Sequence, residues 1–161
     1  MRIPPRNPIK VIGMGNVWRG DDAAGLLVAR RIKQENPPQA AILEIQGTVG
    51  EVREAWKGAA GVIVVDAVSS GGLPGTIYRF DAHAPGTAFP LSRSSSSHGW
   101  GLAEALALGQ VFQDLPPFLI IYGIEGKNFQ LGQDLSPEVA AAIPEATRRI
   151  FQEIQVWLSV G

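Results

Sequence analysis

The chain predicts an α/β domain built on a largely parallel sheet with helices on both faces. Three observations carry that expectation. Short β-branched runs recur along the chain, with helical patterns between them. One run, Val62-Ile63-Val64-Val65, is apolar at successive positions, as a strand covered on two sides must be. The length of 161 residues suits one domain spanning residues 1–161.

The first strand, Lys10-Val11-Ile12-Gly13, runs into the turn signal Gly15-Asn16. After Gly20, Asp21-Asp22 open a helix whose apolar positions Ala24, Leu27, Val28 and Ile32 have helical spacing. Arg30, Arg31 and Lys33 lie near its far end, where cations complement the helix dipole, and Asn36-Pro37-Pro38 stops it. A second strand, Ala41 to Ile45, leads through Gly47-Thr48-Val49-Gly50 to a short helix holding Val52, Ala55 and Trp56. The central strand Val62 to Val65 ends at Asp66. Beyond a Gly/Ser/Pro stretch, Thr76-Ile77-Tyr78-Arg79-Phe80 alternates, which fits a half-exposed edge strand.

Ala82 to Ser97 is rich in Pro, Gly and Ser and reads as a long loop, of a kind that in compact domains is usually functional or mobile. Leu102, Leu106 and Val111 mark a helix, and Phe118 to Tyr122 a further strand. Ser136-Pro137 makes a good cap and first-turn pair for a last helix. Val139, Ile143, Ile150, Ile154 and Leu158 form its buried stripe, and Pro144 is expected to kink or split it.

Composition narrows the chemistry. The chain is 45% hydrophobic and 18% charged, with 15 acidic residues against 14 basic ones. No basic surplus exists to neutralise phosphates, so nucleic acid is not the expected partner. Cysteine is absent, which excludes disulfides, thiolate-held structural zinc, iron–sulfur clusters and cysteine nucleophiles. The two histidines are His83 and His98, so a metal site must draw mostly on oxygen. The apolar runs are strand-sized, far short of a membrane span, and no signal-peptide stretch follows Met1 to Pro8. The expectation is a soluble cytoplasmic protein with no membrane partner.

Ligands of open α/β sheets bind at the carboxyl ends of the strands. Asp22 follows the first strand, Gly47-Thr48 the second, and Asp66 closes the third. His98 immediately precedes a helix whose start shares that edge, and Glu125 follows the Phe118–Gly123 strand. Two carboxylates and an imidazole suit a borderline ion such as zinc or nickel, with positions left open for a substrate. Each residue also has a plainer reading. An aspartate at a helix start is most often a cap; Asp21 is the better candidate for that role, at a cost of about 0.5–2 kcal/mol if truncated. His98 alone, in a serine-rich loop, suits a solvated residue. Trp18 and Trp100 flank the site in sequence and suit either substrate docking or packing.

Two other motifs fail. Gly13-Met14-Gly15-Asn16-Val17-Trp18 begins like a dinucleotide fingerprint but places Trp18 where the third glycine lets helix and strand pack closely. Neither a Gly-Lys-Ser/Thr phosphate loop nor a Gly-x-Ser-x-Gly nucleophile elbow is present, although Ser94 to Ser97 supply hydroxyls near His98.

Several blocks stand in order: Gly13-x-Gly15-Asn16, Gly20-Asp21-Asp22, Val65-Asp66-Ala67, Pro74-Gly75-Thr76, Ser97-His98-Gly99 and Tyr122-Gly123-Ile124-Glu125-Gly126. Leu135-Ser136-Pro137-Glu138-Val139 extends the series into the last helix. Together they resemble the hydrogenase maturation proteases over nearly the whole chain. The resemblance implies a three-layer α/β/α sandwich with a largely parallel twisted sheet. It also implies an endopeptidase that removes the C-terminal extension of a nickel–iron hydrogenase large-subunit precursor after nickel insertion.

The family's metal-contacting positions carry over to Asp22, Asp66 and His98, which would be catalytic through the metal. Some members have glutamate where Asp22 stands, one methylene longer. The second loop often reads Asp-Gly-Gly-Thr, whereas here it is Ile45-Gln46-Gly47-Thr48. Gly47, Thr48 and Trp18 are the substrate-binding candidates.

In this reading the soft thiolate ligands belong to the substrate, which brings its own nickel; zinc or another divalent ion fits the site in isolation. No separate nucleophile or base is assigned, and Glu125 or a ligating carboxylate are the candidates for a base. The alternatives are a non-catalytic nickel-sensing assembly chaperone on the same fold, and a metal-assisted hydrolase of small molecules.

Overall fold

The computed structural model describes residues 9–84 and 98–159, with backbone alone at 98–100. The long loop expected between Ala82 and Ser97 therefore lies mostly outside the described residues. Five strands form one sheet: β1 (Ile9–Met14), β2 (Ala40–Ile45), β3 (Gly61–Val68), β4 (Ile77–Asp81) and β5 (Phe118–Glu125). Their order is β2-β1-β3-β5-β4, parallel throughout except for β4, which pairs antiparallel with β5. The helices are α1 (Ala24–Gln34), α2 (Val49–Trp56), α3 (His98–Phe112) and α4 (Pro137–Ser159), and a 3₁₀ turn, Gly20–Ala23, leads into α1. The expected three-layer α/β architecture is what the chain adopts.

Alternation along the strands divides the core into two. Ile63, Val65, Ile120 and Tyr122 face one side and pack with Val28 and Ile32 of α1 and Ile143, Ile150 and Ile154 of α4. Val62, Val64, Leu119 and Ile121 face the other and pack with Val52 and Trp56 of α2 and Leu102 of α3. All eight residues of β3 are buried, and the strand runs one residue further at its start and two further at its end than Val62–Asp66, because both layers cover it to Val68. The half-exposed β4 is an edge, as its alternation predicts. No helix among the described residues is long and apolar enough to cross a membrane.

Of the kink or split expected at Pro144, the split does not occur: Pro137–Ser159 is one helix with the proline inside it. Proline removes one N–H and crowds the preceding turn, at a cost of about 3 kcal/mol in an unsupported helix. Here Val139 and Ile143 before it and Ile150 and Ile154 after it bury one stripe against the same sheet, and that packing holds the two halves together.

Helix α1 lies unusually close to the sheet. A Cβ on Gly25 would overlap the carbonyl oxygen of Val65 and come within 2.6 Å of that of Met14, and one on Gly13 would lie 2.5 Å from the Gly25 carbonyl. The close helix–strand packing that the failed fingerprint seemed to forbid is thus supplied by its first glycine, Gly13, together with Gly25. Because the obstructing atoms are backbone, Gly25→Ala is expected to destabilise by about 1–3 kcal/mol, the range of overpacked cores. Gly50, in α2, has nothing within 4 Å of a Cβ, so Gly50→Ala should be neutral or stabilise by about 0.5–1 kcal/mol. Urea midpoints of the two variants check the contrast.

Candidate active site

From β1 the chain crosses to β2, and from β3 it crosses toward β5. The connections diverge between β1 and β3, and the crevice at the carboxyl ends of those strands is where such sheets hold ligands. Asp22 sits there in the 3₁₀ turn after β1, and Asp66 two residues before the end of β3. Asp66 shares the face of Val62 and Val64, the side on which α2 and α3 lie. Both aspartates are buried. Burial pushes the Asp66 carboxyl well above the usual aspartate range, and the neighbouring Asp22 charge pushes it further. The fold has thus brought together two acids of which one opposes the ionisation of the other.

Backbone contacts fix the turn. Gly15 has φ 142°, and a Cβ there would overlap the carbonyl oxygen of Asp22. The turn therefore lies directly on the end of β1, which sets where the Asp22 side chain begins.

His98 opens α3, and its side chain lies outside the described residues, as do Ser94 to Ser97. Its helix reaches the same edge: a Cβ on Gly101 would overlap the Gly47 carbonyl, so the first turn of α3 rests on the loop after β2. His83 lies at the other end of the sheet. Antiparallel β4 carries the chain back to the amino end of β5, where His83 Nε2 is 2.7 Å from the Pro116 carbonyl oxygen. Among the described residues no set of three His, Cys, Asp or Glu side chains gathers at metal-holding range; Asp22 and Asp66 are near enough for the Asp22 charge to act on Asp66.

Three polar residues have roles that sequence reasoning did not give them. Asp21 caps neither the 3₁₀ turn nor α1 with its side chain. Its carboxylate accepts from the backbone N–H of Lys127 at 2.7 Å, of Asn128 at 3.0 Å and of Ser136 at 2.7 Å, and from Ser136 Oγ at 2.9 Å. It ties the β5–α4 loop to the 3₁₀ turn. Thr48 accepts from Glu51 N–H while the Glu51 carboxylate accepts from Thr48 N–H, a capping box for α2. The Thr-x-x-Glu spacing was there to be read. Glu125 is buried and accepts from Ser70 N–H at 2.9 Å, from the Ser70 hydroxyl and from Tyr78 OH at 3.0 Å. It braces the β3–β4 loop.

Trp18 is 71% exposed and borders a cavity of about 350 Å³ with Asn16, Leu26, Gln46 and Glu51, at the carboxyl ends of β1 and β2. Its carbonyl accepts from Gly132 N–H at 2.8 Å, which joins it to the loop that Asp21 holds.

Two stability effects follow. Asp21→Ala leaves four buried or half-buried donors without their acceptor, at about 1–3 kcal/mol for each that water cannot reach. The loss should exceed the roughly 2 kcal/mol upper end for a missing cap, measurable by chemical denaturation. Asp66 behaves oppositely. Its folded carboxyl keeps its proton above the ordinary value of 3.8, so the folded state binds more protons than the unfolded one, and stability falls as pH rises through that interval. Asp66→Asn should keep or raise the melting temperature of the metal-free protein at neutral pH and flatten its pH dependence. A drop of several degrees would contradict this account.

The sequence pattern of the hydrogenase maturation protease family matches residues 27–153, a span that includes Asp66 and His98 and begins five residues after Asp22. The chain is 29% identical over 164 residues to coenzyme F420 hydrogenase subunit delta of Methanothermobacter thermautotrophicus, covering 92% of this chain and 95% of that one. It is 27% identical over 152 residues to hydrogenase 2 maturation protease of Escherichia coli, covering 91% and 90%. The structure superposes on the hydrogenase maturating endopeptidase HybD from Escherichia coli with a TM-score of 0.76 at 22% identity, over 92% of each chain. That last likeness is one of fold.

Proposed function

Since this chain belongs to the hydrogenase maturation protease family and is a peptidase, we propose that it removes the C-terminal extension of a nickel–iron hydrogenase large-subunit precursor once nickel has been inserted. The observation that carries this reading is the pair of buried aspartates, Asp22 and Asp66, at the divergence of β1 and β3, with the helix headed by His98 starting at the same edge.

Two carboxylates that repel in a buried crevice are a fitting place for a divalent cation, whose charge offsets both. Asp22, Asp66 and the His98 imidazole offer that ion oxygen and nitrogen donors, which suit nickel and also zinc. With no cysteine in the chain, soft sulfur ligands come from the precursor that carries the nickel. The three residues then take positions left open on a metal already held, and engagement reports that loading is complete. Zinc or another divalent ion occupies the same donors weakly when the precursor is absent, because no thiolates close a tight site.

The rest of the chain orients and encloses. Glu125 has both oxygens engaged by Ser70 and Tyr78, which suits bracing the loop beyond Asp66 better than taking a proton from water. Trp18, exposed beside the crevice, offers the precursor an apolar surface, and Gly47 and Thr48 bring backbone against the start of α3. Processing takes place in the cytoplasm, with no membrane or nucleic acid involved.

The test is mass spectrometry of nickel-loaded and nickel-free precursor after incubation with the protein. Loss of a C-terminal peptide from the loaded form alone is expected; unchanged mass with stable binding would make the protein an assembly chaperone, and equal cutting of both forms would remove nickel from recognition. Removing even outer partners of metal ligands typically costs 10–100-fold, so His98→Ala should lower processing by about 100-fold or more. His83→Ala, at the opposite end of the sheet, should leave it within about twofold. Equal losses would refute the assignment of His98.

A further inference from the structure

Asp21 uses a buried carboxylate to collect four donors from a segment more than 100 residues away in sequence. Loop anchoring alone accounts for the bonds but not for where they lead. The 3₁₀ turn advances about three residues per turn, so successive side chains diverge by about 120°. Fixing Asp21 on the β5–α4 loop therefore fixes the direction in which Asp22 leaves the same turn.

The turn is held from both sides. Asp21 N–H donates to the Asn128 carbonyl at 2.7 Å, and Gly20, with φ 54°, has that same carbonyl 2.5 Å from where a Cβ would stand. On the other side the Asp22 carbonyl rests on Gly15 at the end of β1. We infer that Asp21 is a positioning residue: its hydrogen bonds to Lys127, Asn128 and Ser136 aim Asp22 at Asp66 and so set the geometry with which the pair meets a metal. This rests on the reading of Asp22 and Asp66 as metal-engaging residues.

The test titrates Ni²⁺ alone into the free protein by calorimetry. In Asp21→Asn the amide keeps the shape and some of the acceptors while one of its groups now faces a donor. The dissociation constant should rise about tenfold with the binding stoichiometry unchanged. Ser136→Ala keeps the Asp21 charge and removes one of the four bonds, and should raise the constant severalfold, again with unchanged stoichiometry. It also decides the matter should Asp21→Asn fail to fold.

A merely structural role would lower the stoichiometry, which counts folded protein, and leave the dissociation constant alone; that result overturns the inference. Loss in Asp21→Asn with a wild-type constant in Ser136→Ala would show that charge rather than position matters, and overturns it too. Processing of nickel-loaded precursor by the same variants should fall in parallel, and serves as the deciding readout if free Ni²⁺ binds too weakly to titrate. Asp22→Asn separates the two levels of the argument. If it binds and cleaves normally, the metal reading fails and Asp21 has nothing to position; if it fails while both Asp21→Asn and Ser136→Ala work normally, only the positioning role is lost.

Discussion

Two buried aspartates at the mouth between β1 and β3, with the charge of Asp22 opposing the ionisation of Asp66, are the constraint that the rest of the molecule has to meet. Left to itself, such a pair separates or is flooded by water, because burying two neighbouring carboxyl groups makes ionising either of them costly. Here neither backbone can yield. Asp66 belongs to a strand buried along its whole length and paired on both sides. Asp22 stands on a turn pressed against β1 and followed by a helix lying on the central strands. The apolar core supplies the stability that offsets the cost of holding this pair in place.

Asp21 and Glu125 are as deeply buried as the pair, and each collects several donors: three backbone N–H groups and a hydroxyl for Asp21, one backbone N–H and two hydroxyls for Glu125. Buried carboxylates so supplied serve as cross-links between loops and turns. Four buried acids thus lie near one edge of the sheet, and in Asp66 burial and the neighbouring Asp22 charge together oppose ionisation.

The sequence made much of this legible, and the limits have physical causes. Strands, helices and the edge character of β4 follow from periodicity, and Asp22 and Asp66 follow from the rule that loops at the carboxyl ends carry the chemistry. Asp21 was misassigned as a cap because a local rule was applied to a residue whose partners are 106 to 115 positions away. Helix α4 survives Pro144 because tertiary packing overrides local propensity. The Gly13–Gly25 contact was invisible for a related reason: one glycine lies in a strand and the other in a helix, and only the fold shows them touching. The box formed by Thr48 and Glu51 is different, being local and readable from its spacing.

The seat of α1 on β1 and β3 makes the crevice behave like a caliper with both arms locked. At Gly25 there is no slack toward either Val65 or Met14, and at Gly15 none toward Asp22, so small adjustments of the backbone cannot open or close the gap. The one free dimension is the length of the side chain on each arm. Asp22 is the shorter of the two acidic residues nature has available; a glutamate there would advance its carboxylate by one carbon–carbon bond, about 1.5 Å. The reach of the carboxyl group from position 22 into the gap is therefore written in a single methylene.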